Sequence, residues 1–253
     1  MTLTVGSLFS GIGGFDLGFE KAGMEIRWQV EIDEFCQKVL EQHWPNVERF
    51  DDIKNIQELP YVDLICGGFP CQPVSTCGRH KGDEDERWLW PEFYRIVCMV
   101  KPKWIVVENV IGLLSAKNGQ LFGGILRDLA QIGYDAEWQV FSASQFGLPH
   151  IRKRLFLVAY SNSERLHKNV FSKESYLQDV EKTQPISNVS SIYIDVFERS
   201  YPDISNYIRE ANGISNELDE FRNERIKSLG NSIVPLIVEY IGYSIMNSTI
   251  DYN

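Results

Sequence analysis

Apolar residues return along the first two thirds of the chain in two alternating rhythms. Short continuous runs read as buried strands, and stretches with apolar positions every three or four residues read as helices. Residues 2–9 predict a strand that ends at Ser10-Gly11-Ile12-Gly13-Gly14. Phe15, Phe19 and Ala22 then keep helical spacing until Gly23 stops the run. Ile26 to Ile32 predicts a second strand, closing on Glu31 and Asp33, and a helix follows from about Glu34 to His43. Val62 to Cys66 is a third strand. A helix from about Pro91 to Val100 leads into a fourth, Trp104 to Val107, which ends at Glu108-Asn109. Leu121 to Ile132 is helical, and Ala136 to Phe141 and Leu155 to Ala159 are later strands. Strand and helix in alternation predict an α/β chain with a doubly wound, mostly parallel sheet.

The rhythm fades near Tyr160. From there to about Lys227 the chain is rich in Ser, Asn, Glu and Tyr, with 9 basic against 12 acidic residues between 160 and 228. Such a stretch is a small irregular domain or a long functional insertion. Order returns at Ser228-Leu229-Gly230-Asn231-Ser232, after which Val234, Ile237, Ile241 and Ile245 mark a closing amphipathic helix. The expected division is one body from 1–159 plus 228–253, and a small domain from 160–227.

Composition narrows the classes. With 253 residues, 43% of them hydrophobic, the chain can bury a sizeable core. No apolar run is long enough to span a bilayer, and Met1-Thr2-Leu3-Thr4-Val5 lacks a secretion signal's basic and apolar regions. The five cysteines (36, 66, 71, 77 and 98) form no CxxC pair, which disfavours a disulfide framework or a structural zinc. A cytoplasmic protein without a metal is expected. The net charge of -10 argues against a nonspecific coat on nucleic acid. It leaves room for a local basic cleft, and the densest basic cluster is His150-Ile151-Arg152-Lys153-Arg154.

Candidate chemistry gathers at the strand ends, where open α/β sheets bind ligands. Cys71 lies in Gly67-Gly68-Phe69-Pro70-Cys71-Gln72-Pro73, directly after a strand. A thiol in a stiffened loop there is a candidate nucleophile; the plain alternative is a small hydrophobe. Gly11, Gly13 and Gly14 make a tight turn against which a cofactor can lie. Glu31 ends the next strand, where a carboxylate accepts from ribose hydroxyls or is simply solvated. A full GxGxxG is absent, so a dinucleotide is not the natural ligand. Glu108 brings an acid to the edge that carries Cys71, which suggests covalent catalysis with proton donation. Arg152 and Arg154 alternate, so both can face one way and hold a phosphate or a base carbonyl.

Taken together, these segments resemble the S-adenosylmethionine-dependent DNA (cytosine-5) methyltransferases. They are Ser7 to Phe15, Glu31-Ile32-Asp33, Asp52-Ile53, Gly68 to Pro73, Glu108-Asn109-Val110, Gln145 to Arg154, and Gly230 to Pro235, in the family's order. The resemblance implies a Rossmann-like methyltransferase body with a small target-recognition domain. It implies that Cys71 adds to C6 of a flipped-out cytosine in double-stranded DNA. Glu108 would contact the N3 and amine edge, Arg154 the base carbonyl, with Arg152 beside it. Gln72, Ser75 and Asn109 would meet the substrate. Phe9, Ser10, Gly11, Ile12, Gly13, Gly14, Gly68 and Pro70 would line the cofactor. Glu31 would hold its ribose, Ile32 its adenine face, and Asp52 with Ile53 the adenine amine, while Asn231 and Ser232 close the pocket. S-adenosylhomocysteine would be the product. The resemblance further implies a monomer and a cognate restriction endonuclease as a functional partner. Two positions depart from it: Ser7 stands where many relatives carry Asp, and His150 where Gln is common.

Three other readings compete. A tRNA cytosine methyltransferase of the same superfamily usually carries a Cys-Phe-Thr signature, absent here. A noncatalytic DNA-binding regulator would not need Cys71 and Glu108. A thymidylate-type methylase fits neither the Gly-rich turn nor the separate polar segment.

Overall fold

The computed structural model describes residues 2–70, 88–148, 151–163, 170–171, 228 and 232–249. In chain order the main elements are β1 (Thr4–Leu8), α1 (Gly14–Lys21), β2 (Glu25–Val30), α2 (Glu34–His43), β3 (Glu48–Phe50), β4 (Leu64–Gly67) and α3 (Trp90–Val100). They continue with β5 (Trp104–Asn109), α4 (Gln120–Gln131), β6 (Tyr134–Ser142), β7 (Lys153–Ser161) and α5 (Pro235–Thr249). Among the described residues no helix is long and apolar enough to cross a membrane.

The strands form one sheet in the order β3-β2-β1-β4-β5-β7-β6. From β1 the chain winds outward through β2 to β3, then returns to place β4 on the other side of β1. That reversal opens a crevice at the carboxyl ends of β1 and β4, the usual ligand position in such sheets. The α/β, doubly wound, mostly parallel expectation is met, with one strand reversed: β7 is antiparallel to both β5 and β6. The reason is local. Among the described residues between β6 and β7 there is a short 3-10 turn, Ala143–Phe146, and no crossover helix, and antiparallel neighbours need no crossover. β3 was not expected; its three residues, Glu-Arg-Phe, contain no apolar run.

Each face of the sheet has its own core. On one side α3 and α4 lay Phe93, Ile96, Leu121, Ile125 and Leu129 against Trp28, Ile65 and Ile105. On the other, α1 and α5 lay Phe15, Phe19, Ile237, Val238, Ile241 and Ile245 against Val5, Leu64 and Val106. The central strands are buried on both faces, which is why they read as continuous apolar runs. α5 joins this body by close approach. A Cβ at Gly18 would stand 2.5 Å from Val238, and one at Gly242 would stand 2.6 Å from Ala22. Val170 and Phe171 also pack onto this body. Val170 is fully buried, the amides of Val170 and Phe171 donate to the Glu137 carboxylate at 3.3 and 3.4 Å, and Phe171 packs edge-on against Phe141.

Candidate active site

The first half of the crevice is built at the ends of β1 and β2. The turn Phe9 to Gly14 carries the chain from strand to helix. Phe9 has φ 52°, a left-handed conformation that costs a non-glycine residue roughly 1–2 kcal/mol. Gly11 has φ +56° and open space in front of its missing Cβ, whereas Gly13 (φ +86°) backs onto Trp44, whose ring a Cβ would meet at 2.3 Å. Beneath the turn, Ser10 is buried and its Oγ donates to the Ser7 carbonyl at 3.0 Å, and Ile12 is buried too. Gly14 lies against Ser232, whose Oγ a Cβ would meet at 3.1 Å. Ser232 and Ile233 thus lie beside the turn.

Glu31 faces this turn. Its two carboxylate oxygens accept from the amides of Gly11 at 2.7 Å and Asp33 at 2.8 Å. Burial raises its proton affinity, and those two amides oppose the rise. The carboxylate is therefore oriented by main chain and keeps lone pairs to spare. Ile32 is 67% exposed, a large apolar side chain left without a protein cover. Asp33 is occupied as the N-cap of α2, accepting from Phe35 and Cys36. Asp52 caps the turn Ile53–Asn55, accepting from Lys54 at 3.0 Å with Oδ1. Ile53 is buried in the core. An open Gly11, an oriented Glu31 and a bare Ile32 fit a ligand with a ribose and a flat ring.

The second half gathers at the ends of β4, β5 and β7. Glu108 is buried, and its Oε1 lies 2.9 Å from Nε of Arg154. Burial raises its proton affinity, against which the charges of Arg154 and then Arg152 work. Oε1 has no well-aligned hydrogen bond, so the contact with Arg154 is ionic rather than directional. β5 and β7 pair with Glu108 opposite Phe156 and Phe141 of β6 opposite Arg154, so the sheet register brings acid and arginine to one edge. The other oxygen, Oε2, points at Gly68, where a Cβ would stand 3.0 Å away. Asn109 is buried and donates from Nδ2 to the Phe69 carbonyl at 3.3 Å, while its Oδ1 accepts from Val110 at 2.8 Å. It therefore latches β5 to the chain leading toward Cys71. Pro70 is the last residue before that loop to be described. Cys71, Gln72, Ser75, His150 and Asn231 lie outside the described residues.

Two features of the site escaped the sequence reading. Trp44 supports Gly13 and donates from Nε1 to Glu20 at 3.2 Å; its place just after a helix gave no sign of that. Asp16 is completely buried, held by Ser7 Oγ at 3.1 Å and Gln29 Nε2 at 2.8 Å. The signal available was an acid three residues before Phe19, on the flank of the buried stripe. Among the described residues no group of three or more His, Cys, Asp or Glu side chains gathers as a metal site.

A family model described as C-5 cytosine-specific DNA methylase matches residues 3–218. The chain is 38% identical over 173 residues to the Type II methyltransferase M.Bsp6I of Bacillus sp. (strain RFL6), covering 66% of this chain and 55% of that protein. It is 33% identical over 193 residues to the Type II methyltransferase M.HhaI of Haemophilus parahaemolyticus, covering 74% and 59%. The chain spans about half the length of the curated relatives it matches. Among solved structures, a prophage-encoded E. coli protein described as a candidate DNA modification methyltransferase superposes with a TM-score of 0.58 at 29% identity, covering 66% of this chain and 49% of that one. The S. pombe Dnmt2 methyltransferase shares the fold, with a TM-score of 0.55 at 22% identity over 74% and 58%. A match that runs from β1 to beyond β7 shows that the chain belongs to the C-5 cytosine-specific DNA methylase family.

Proposed function

We propose that this chain methylates C5 of cytosine within a specific sequence of double-stranded DNA, using S-adenosylmethionine. The observation that carries this reading is the meeting of Glu108 and Arg154 at 2.9 Å, at the sheet edge that leads into Gly68-Phe69-Pro70-Cys71. A buried acid beside an arginine is suited to the polar edge of a pyrimidine, and Cys71, three residues after Gly68 in the sequence, would supply a thiol to its ring.

The cofactor, when bound, supplies an electrophilic methyl group on a sulfonium. Gly11 and the backbone of the turn would lie against it, Glu31 would accept from its ribose hydroxyls, and Ile32 would cover its adenine. Ser232 would close the pocket beside Gly14, together with Asn231. On the DNA side, the target base leaves the stack to reach the crevice. The Cys71 thiolate adds to C6, which makes C5 a carbon nucleophile. Glu108 protonates or hydrogen-bonds N3 as charge builds there, and its burial favours the protonated form that can do so. Arg154 holds the carboxyl and the base carbonyl together. After methylation, loss of the C5 proton re-forms the double bond and expels the thiolate. Asn109 holds the Phe69 carbonyl, two residues before Cys71 in the sequence.

We further propose that 1–159 with 228–253 form the catalytic body and that 160–227 read the target sequence. Base readout needs a few placed donors and acceptors, and the polar Ser-Asn-Tyr composition of that segment supplies them. The Type II names of the relatives suit a cognate restriction endonuclease as functional partner of an enzyme that acts as a monomer. Bisulfite and nanopore sequencing of plasmid from an expressing strain tests the reading. Modified cytosines should fall within one short sequence and vanish on Cys71→Ser; a plasmid left unmethylated by an expressed, folded protein would overturn it.

A further inference from the structure

Asp16 lies under the start of α1, against Ser7 near the end of β1 and Gln29 near the end of β2. It stands in the first turn of α1, directly after the Gly-rich turn, and is fully buried. Ser7 of β1 donates to one carboxylate oxygen and Gln29 of β2 to the other. Ser7 stands two residues before Phe9, and Gln29 two residues before Glu31. The next strand over, β4, brings the fully buried thiol of Cys66 into the same electrostatic neighbourhood. Three strands therefore converge on this carboxylate one layer beneath the residues assigned to the cofactor.

Among the described residues that act on Asp16 electrostatically, none is a cation. Glu20 on α1 is an acid, and Cys66 on β4 is a thiol that burial keeps protonated. Arg49 of β3 is a step removed, with a guanidinium nitrogen 3.4 Å from Gln29 Oε1 and a hydrogen bond to the Trp44 carbonyl at 2.7 Å. Two neutral donors and the start of a helix hold the charge. Burying an anion this way is costly, and its field reaches the crevice with little solvent screening. The methyl donor and its demethylated product share ribose, adenine and amino-acid parts. They differ in one charge, because a sulfonium becomes a neutral thioether.

We propose that Asp16 is a specificity-determining residue that favours the cationic methyl donor over its neutral product, and so helps the product leave. This rests on the assignment of S-adenosylmethionine above. Asp16 touches neither ligand; it acts through the field beneath the turn. Contacts to the shared parts, Glu31 included, cancel when the two affinities are compared as a ratio.

The test is calorimetric titration of S-adenosylmethionine and S-adenosylhomocysteine into wild-type protein and Asp16→Asn, which keeps the shape and removes the charge. The substitution should lower the donor-to-product affinity ratio about tenfold and leave product affinity within about twofold. In wild type the same ratio should fall as pH drops from about 7 to 5 and protonates Asp16, an arm that needs no variant. An equal loss of both affinities would make Asp16 merely structural and overturn the proposal, as would a ratio that neither the substitution nor pH moves. If wild type binds neither ligand, the cofactor assignment fails first and this inference falls with it.

Discussion

At the ends of β1 and β2 the crevice is lined by main chain; at the ends of β5 and β7 it is lined by charge. On the first side, two backbone amides fix the Glu31 carboxylate, and Gly13 sits flat on Trp44. On the second, a buried Glu108 is held against Arg154 by a contact that is close but not well aligned. The first arrangement suits a ligand that returns unchanged in shape every cycle. Its donors and acceptors are set before the ligand arrives, which limits the ordering cost of binding. The second suits a reacting base, where stabilisation is needed only as charge develops.

The two halves share one cost. Burial raises the proton affinity of Glu31, Asp16 and Glu108. A carboxyl raised in the folded state binds its proton more tightly there than in the unfolded chain. Its contribution to stability is therefore present below the unfolded value and lost as pH rises through the folded one. For Asp16, raised from 3.8 to about 6, that loss falls between those values. The site is kept ionisable at the expense of the fold, as expected where function and stability compete.

Substitutions separate the halves. Glu108→Gln removes the acid and keeps its outline. Single-turnover methylation should slow by about two to three orders of magnitude, with DNA affinity little changed. The decline in rate as pH rises through the raised Glu108 value should disappear in the variant. An unchanged rate would reduce Glu108 to a structural partner of Arg154. Gly13→Ala attacks the main-chain half, placing a Cβ at positive φ and into the Trp44 ring. About 3 kcal/mol of stability should be lost, read as a melting temperature lower by about 10 °C. A melting temperature at the wild-type value would mean that the turn does not depend on close contact. Ile32→Ala should do least. Being 67% exposed, it should leave stability within about 0.5 kcal/mol and weaken donor binding by about fivefold through lost apolar cover. Equal affinity by calorimetry would remove Ile32 from the pocket.

Much of this was legible in the chain itself. The buried strands announce themselves because both faces of the sheet are covered, so Leu64 to Cys66 and Trp104 to Val107 read as unbroken apolar runs. α2 was bounded correctly because Asp33 is a capping residue and its acceptor role is local. The reversed β7 was not read, because strand direction depends on the connection rather than on the strand. β3 has too few apolar residues to show. Asn109, expected to meet the substrate, also holds the Phe69 carbonyl and its own neighbour's amide, a role that its position at a strand end did not signal. Asp16 was missed because its partners, Ser7 and Gln29, come from two strands, and a network that crosses strands leaves no periodic trace in sequence.

One measurement joins both halves. Duplex DNA carrying 5-fluorocytosine in the target cannot lose its C5 substituent, so the thiolate of Cys71 cannot be expelled once the base is methylated. With S-adenosylmethionine present, the protein should become covalently attached to that duplex, seen as a denaturation-resistant shift and as a Cys71 adduct by mass spectrometry. Omitting the methyl donor or substituting Cys71→Ser should abolish the adduct. A protein that methylates ordinary duplex yet forms no adduct with the fluorinated one, or that forms it through another residue, would contradict the account.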